Sequence, residues 1–361
     1  MKKIIFALTA MFGFAPWAMA QSSTLATLHH DGKIKTFYGA NALVEANDAA
    51  ADGDVITLSS GTFNAPADTI TKAITLRGAG MELDTLNNVD PTIIQGNLVL
   101  NIPETATDNF ILEAIDLSHY IYYCGTLKAP QFIKSRMNGI EQSTSDNNAR
   151  VTDASALHCI ISVRFNLPAN SSATLINCYV RDPYCIDAKT SCFEMQNCVI
   201  RCEIPNNIQT STIRNSIIIY EHGGKSGSKH YALAPTTAAY NCVGVWTRKY
   251  GTAYTEGDYL FYFQTNTTNT ELSRQTAYTN IFKDYDFYSN NLSNFSTTRL
   301  ELAESFKSLY KGSDGTELGI YGGTFPFDPI STNPRITKCE VAGKTTADGK
   351  LSVTVEVNGQ K

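Results

Sequence analysis

The apolar positions of this chain come in short bursts separated by polar corners. Leu175-Ile176-Asn177-Cys178-Tyr179-Val180, Met195-Gln196-Asn197-Cys198-Val199-Ile200, Ile213-Arg214-Asn215-Ser216-Ile217-Ile218 and Ala239-Tyr240-Asn241-Cys242-Val243-Gly244 repeat one phrase. Each reads as a strand-like run, one Asn, a small Cys or Ser, and a second strand-like run. Such bursts are too short for a helical face and are bounded by turn formers, which predicts strands. A phrase returning about every twenty residues marks a solenoid in which each turn contributes one copy. Upstream the corner is traced through His158-Cys159, Ser135 and Ala114, giving steps of 21, 23, 19, 20, 18 and 26 residues. Three short strands and three turns fill such a step, and about eight to ten coils are expected.

Asn suits the corner because it tolerates backbone angles that other residues resist. Stacking at about 4.8 Å further predicts that the amides of Asn177, Asn197, Asn215 and Asn241 bond one another as a structural ladder. Cys178, Cys198 and Cys242, with Cys159, read as small apolar side chains stacked inside the coil. Cys185, Cys192 and Cys202 stand off that column and are available for pairing in an oxidising compartment.

The ends carry other patterns. Met1-Lys2-Lys3, the apolar run Ile4 to Phe14 and Ala18-Met19-Ala20 predict a signal peptide over residues 1–20, hence export to the periplasm, cell surface or exterior and no membrane span after cleavage. A polar leader with His29 and His30 follows. Asn41 to Ala51 then reads as a short helix that caps the first coil of a solenoid domain spanning 21–330. In residues 331–361, Arg335 to Val341 and Leu351 to Val357 flank Asp348-Gly349 and predict a β-hairpin or tail.

Charge narrows the partners. The 29 Lys and Arg face 34 Asp and Glu, a formal net charge of −5, and loss of Lys2 and Lys3 with the leader makes it −7. A chain without clustered cations is a poor ligand for nucleic acid.

The corner phrase, the coil length, the opening Ala42 to Phe63 and the closing Ser313-Asp314-Gly315-Thr316-Glu317-Leu318-Gly319-Ile320-Tyr321-Gly322-Gly323 together resemble the pectate-lyase-like superfamily. The closing segment is similar to that of exported β-helix proteins from Bacteroidetes-type bacteria. The resemblance implies an all-β fold, a single-stranded right-handed parallel β-helix, and polysaccharide as ligand. Lyases of this superfamily use calcium-holding carboxylates and a basic residue, and related hydrolases use clustered Asp. The chain has no W-I-D-H, R-x-P-x-x-R, N-T-D or G-H-G, so no catalytic residue carries over.

The residues themselves mark one charged neighbourhood. If the Asn corners are equivalent, Arg181-Asp182, Arg201 with Glu203, and Glu221-His222 fall at comparable places on three coils, with Asp187 and Lys189 following. Such a group can bind an anionic sugar or calcium, or do acid–base work; it can equally form solvated surface ion pairs. No organic cofactor is implied. The aromatic-rich stretch Tyr250 to Tyr288 is suited to stacking on sugars or to covering the late coils. Two function classes stand: an exported protein that binds polysaccharide or processes it as a lyase or glycoside hydrolase, and a noncatalytic adhesion or structural module with a protein partner. The sequence leaves the oligomeric state open.

Overall fold

The computed structural model describes residues 24–144, 146, 148–185, 190–202, 211–222, 230–231, 233–248, 259–260, 268–272, 281–283, 300–332, 335–341, 344–345 and 348–358. The expected leader, and Asp187, Lys189 and Glu203, lie outside these residues, as does most of Tyr250 to Tyr288.

The strands wind into a parallel β-solenoid of about eight turns. Two long sheets, of 11 and 12 strands, form its flanks. Successive turns add successive parallel strands to each. Beyond them the described residues hold two short parallel pairs, Thr126–Lys128 with Arg150–Thr152 and His230–Tyr231 with Tyr259–Leu260. Among the described residues, three strands per turn are seen in some turns.

Because the pairing is in register, one position per turn stacks into an interior column. Ile56, Leu76, Leu112, Phe132, Ala156, Leu175, Met195, Ile213 and Ala239 are consecutive partners, and all are buried. Each large member contributes roughly 1.5–3 kcal/mol by leaving water.

The corners adopt the left-handed backbone, with φ of 57° at Ala114, 47° at Lys134, 54° at His158, 50° at Asn177, 52° at Asn197, 49° at Asn215 and 53° at Asn241. This corrects one position. Lys134 is the corner, and Ser135 takes the inward place that follows. That inward place is polar as well as small, which refines the reading of its cysteines as simple hydrophobes. Ser135 and Ser216 donate to the carbonyls of Ile133 and Arg214 at 2.8 and 2.6 Å. The thiols of Cys159, Cys178, Cys198 and Cys242 sit 3.2–3.4 Å from the equivalent carbonyls two residues back. The same atoms accept: the Cys159 N–H donates to Cys178 Sγ at 3.3 Å and the Cys198 N–H to Ser216 Oγ at 3.0 Å. Burial pushes the Cys198 and Cys242 thiols up to about 12, so they stay protonated donors. Among the described residues Cys192 and Cys202 form no disulfide, and neither do the cysteines of the inward column.

The amide ladder forms at one step only, where Asn241 Nδ2 donates to Asn215 Oδ1 at 2.9 Å. The competing partner is the chain's own C-terminal segment, which runs back along the corners as a strap. Asn241 Nδ2 also donates to the Lys311 carbonyl (2.9 Å), and Asn215 Oδ1 accepts from the Ser313 N–H (3.0 Å). Asn177 Nδ2 donates to the carbonyls of Ile320 and Gly322, both at 2.7 Å. Lys134 Nζ reaches Asp328 Oδ2 and the Ile330 carbonyl at 2.8 Å, and Ser331 Oγ reaches the Gly78 carbonyl at 3.3 Å. Gly323 permits the approach: its φ is +81°, and a Cβ there would lie 2.1 Å from Asn197 Nδ2. Beneath the strap, Leu318, Ile320 and Phe327 cover the outward, register-matched row Ile160, Tyr179, Val199, Ile217 and Val243 in a second apolar core.

A helix, Ala42–Ala49, falls within the expected span and buries Ala42, Leu43, Ala46 and Asn47. The segment before it is no polar leader. Leu25–His30 and Lys33–Tyr38 form an antiparallel hairpin about Asp31-Gly32 (φ 47° and 72°), and its first strand pairs antiparallel with Val55–Leu58. At the other end Arg335–Val341 and Val353–Asn358 make the expected antiparallel hairpin. Among the described residues no helix is long and apolar enough to cross a membrane.

Candidate functional site

The outer face of the 12-stranded sheet carries a patch of tyrosines and charges. In the strand Asp116–Tyr123, Leu117, Ile121 and Tyr123 are buried, while Tyr120 and Tyr122 are half-buried on the outer side. A bulge sets this phase. In Arg136–Gln142, Met137 pairs with Leu117 and Gly139 with Tyr120, so Asn138 alone opposes Ser118 and His119. The next strand shows the same shift, Met137 with Ile161 and Gly139 with Arg164. Asn138 stitches the three strands: its amide donates to the Ser118 carbonyl at 2.8 Å and accepts from Ser162 Oγ at 3.1 Å. Bulges of this kind re-aim side chains.

Past the bulge, Gly139 leaves a floor for an aromatic ring. A Cβ at this position would stand 2.5 Å from the Arg164 carbonyl and 2.9 Å from Tyr120 Cε1, so Tyr120 lies down over the glycine. Its neighbour Tyr122 stacks alongside, with ring centroids 5.7 Å apart and planes 21° from parallel. Register then defines two rows across the strands. Tyr122, Glu141, Asn166 and Tyr184 form one, because Tyr122 pairs with Glu141, Ile140 with Phe165, and Asn166 with Tyr184. Tyr120, Gly139 and Arg164 form the other.

Burial raises the Tyr120 pKa, with Glu141 and Tyr122 adding to it and Arg164 and Arg181 opposing. Burial and then Glu141 raise Tyr122 in the same way. Both phenols therefore remain hydroxyl donors at neutral pH, with an acid and two guanidiniums close by.

The charges marked by the sequence are distributed differently from expectation. Arg181 and Arg201 are register partners, but the next partner in line is Ile219. Glu221 and His222 lie farther along that strand, opposite Thr247 and Arg248. Asp182, at φ 42°, turns the chain, and its N–H donates to the Arg201 carbonyl at 2.8 Å. Asp182 and Arg201 are only 6% and 3% exposed, so neither is a solvated turn residue. Arg181 Nε lies 3.8 Å from Asp182 Oδ2, and the charge of Arg181 reaches Tyr120. No group of three or more His, Cys, Asp or Glu able to hold a metal ion occurs among the described residues.

A concavity of about 460 Å³, lined by Glu304, Lys307, Lys311, Thr316, Glu317 and Tyr321, sits against the strap. Its Lys307 is taken by Glu304 and Glu317 at 3.2 and 3.1 Å, which leaves the tyrosine face as the better candidate. No protein-family model matches this chain, and comparison with curated proteins and with solved structures gives no match.

Proposed function

We propose that the chain is an exported polysaccharide-binding solenoid whose working surface is the face bearing Tyr120, Tyr122 and Tyr184. The observation that carries this is the outward Tyr120–Tyr122 stack, with Tyr120 over Gly139 and with Glu141 and Arg164 at the adjoining register positions. Sugar rings offer C–H faces to aromatic planes and hydroxyls to charged side chains, and this surface presents both. Export is supported by the cationic start, apolar run and small-residue cut of the leader.

Binding fits this face better than cleavage. Glycoside hydrolysis ordinarily needs two flanking carboxylates, and among the described residues Glu141 is the acid of these rows while Asp182 is buried. One observation favours a protein partner instead: Val353, Val355 and Val357 of the C-terminal hairpin are about half exposed.

The test is retention of the mature protein on a panel of immobilised neutral and acidic polysaccharides, with and without calcium. Retention of wild type, with at least about tenfold weaker binding of the Tyr120→Ala/Tyr122→Ala double variant at unchanged circular dichroism, is expected. Failure to bind any polysaccharide refutes the proposal.

A further inference from the structure

We infer that the ligand of this face is an extended saccharide of at least four units lying along the solenoid axis, across the strands. This rests on the reading above and goes further by fixing the ligand's direction and minimum length.

Direction follows from the lattice of the sheet. Along the strand the aromatic surface is short: Tyr120 and Tyr122 are its two outward rings, Tyr123 is buried, and the chain turns at Gly125 with φ 64°. Across the strands the surface continues. Tyr122, Glu141, Asn166 and Tyr184 occupy one register line on four adjacent strands, each half-buried and each flanked by an inward residue of the core: Ile121, Ile140, Phe165 and Cys185.

Length follows from spacing. Four strands set the outer two tyrosines about 14 Å apart, three interstrand steps of about 4.8 Å. A pyranose in an extended chain advances by nearly one such step. A chain laid on the row therefore puts a first ring on Tyr122 and a fourth on Tyr184, with two units over Glu141 and Asn166.

The middle of the row has hydrogen-bonding capacity left over. The side-chain oxygen of Asn166 is buried without a hydrogen-bond partner, whereas its backbone carbonyl accepts from Tyr123 Oη at 3.3 Å. A small rotation of the carboxamide turns that oxygen to a sugar hydroxyl, and Glu141 supplies a charged acceptor one strand away. A rigid sheet holds these four side chains in place beforehand, so little ordering is lost on binding.

The experiment uses the mature protein and a sized ladder of one to six units, prepared by partial hydrolysis of the polysaccharide that the panel retains, with calorimetric titration of each size. Affinity is expected to climb about five- to tenfold between the trisaccharide and the tetrasaccharide and then to level off. Tyr184→Ala should erase that step, and Tyr184→Trp should keep it. Levelling at the disaccharide, or a Tyr184→Ala titration identical to wild type, overturns this inference and leaves the polysaccharide reading intact. A panel with no retained polysaccharide overturns both.

Discussion

The backbone N–H of Asp328 donates to Nδ1 of His158 over 3.3 Å, although 170 residues separate them in the chain. The other ring nitrogen lies 3.1 Å from the Phe325 carbonyl and so carries the proton. This imidazole clasps the strap only while neutral. Burial lowers its pKa; the Phe325 carbonyl opposes that, Lys134 adds to it, and Asp328 opposes it. With the folded pKa below the usual 6.5, the unfolded chain takes up the proton first as pH falls. Stability from this site is thus complete above about pH 6.5 and declines as pH drops through the folded value. Hydrogen exchange of the Phe325, Phe327, Asp328 and Ile330 amides, corrected for intrinsic rates, should quicken at pH 5 relative to pH 7.5. In His158→Asn, which restores the residue of the later corners, that pH dependence should vanish.

The seat of Gly323 leaves no space for a side chain. Gly323→Ala combines a left-handed backbone with a Cβ 2.1 Å from Asn197 Nδ2. A loss of about 2–3 kcal/mol is expected in denaturant unfolding, with an unchanged m-value.

Asn177 serves the corner twice, by its backbone angle and by its two bonds to the strap. Asn177→Gly keeps the angle and loses the bonds, and Asn177→Ala loses both. Equilibrium unfolding should rank them in that order, with Gly costing about 1–3 kcal/mol and Ala about 1 kcal/mol more.

The inward column accepts hydroxyl or thiol, since Ser135 and Ser216 stand where Cys159, Cys178, Cys198 and Cys242 stand. Cys198→Ser should therefore remain within about 1 kcal/mol of wild type, while Cys198→Val, which removes donor and acceptor, should lose more. Thermal melts of the two variants decide the point.

Burial first, and then the charge of Glu141, raise the pKa values of Tyr120 and Tyr122. Removing that charge in Glu141→Gln makes the phenolates easier to form, so both tyrosines should titrate at lower pH. Carbon-13 shifts of the labelled tyrosine rings read this directly, and saccharide affinity should fall in the same variant.

The corners were legible because Asn and the small residue after it answer a local demand on the backbone. Lys134 was misplaced by one because lysine carries no mark of a left-handed turn. The strap was invisible for a different reason: Asn177 bonds Ile320 and Gly322 across 143 and 145 residues, and a distant acceptor leaves no local pattern. At the tyrosine face, the bulge at Ser118-His119 breaks the alternation that would have shown Tyr120 and Tyr122 as an outward pair. The N-terminal hairpin did have a readable sign in Asp31-Gly32, a dipeptide favoured in tight hairpin turns. The burial of Arg201 follows from its register beside Arg181, which neither sequence reading of the charged group, as a ligand site or as solvated ion pairs, took into account.

A stack of coils held only by its neighbours frays from either end. Here a late-made portion of the chain, from Lys311 to Ser331, is also the part that fastens corners from Asn241 back to Gly78. Turns that leave the ribosome early must wait, unlatched, until residue 331 has been synthesised. Loss of the strap would then weaken the whole rod, its oldest coils included.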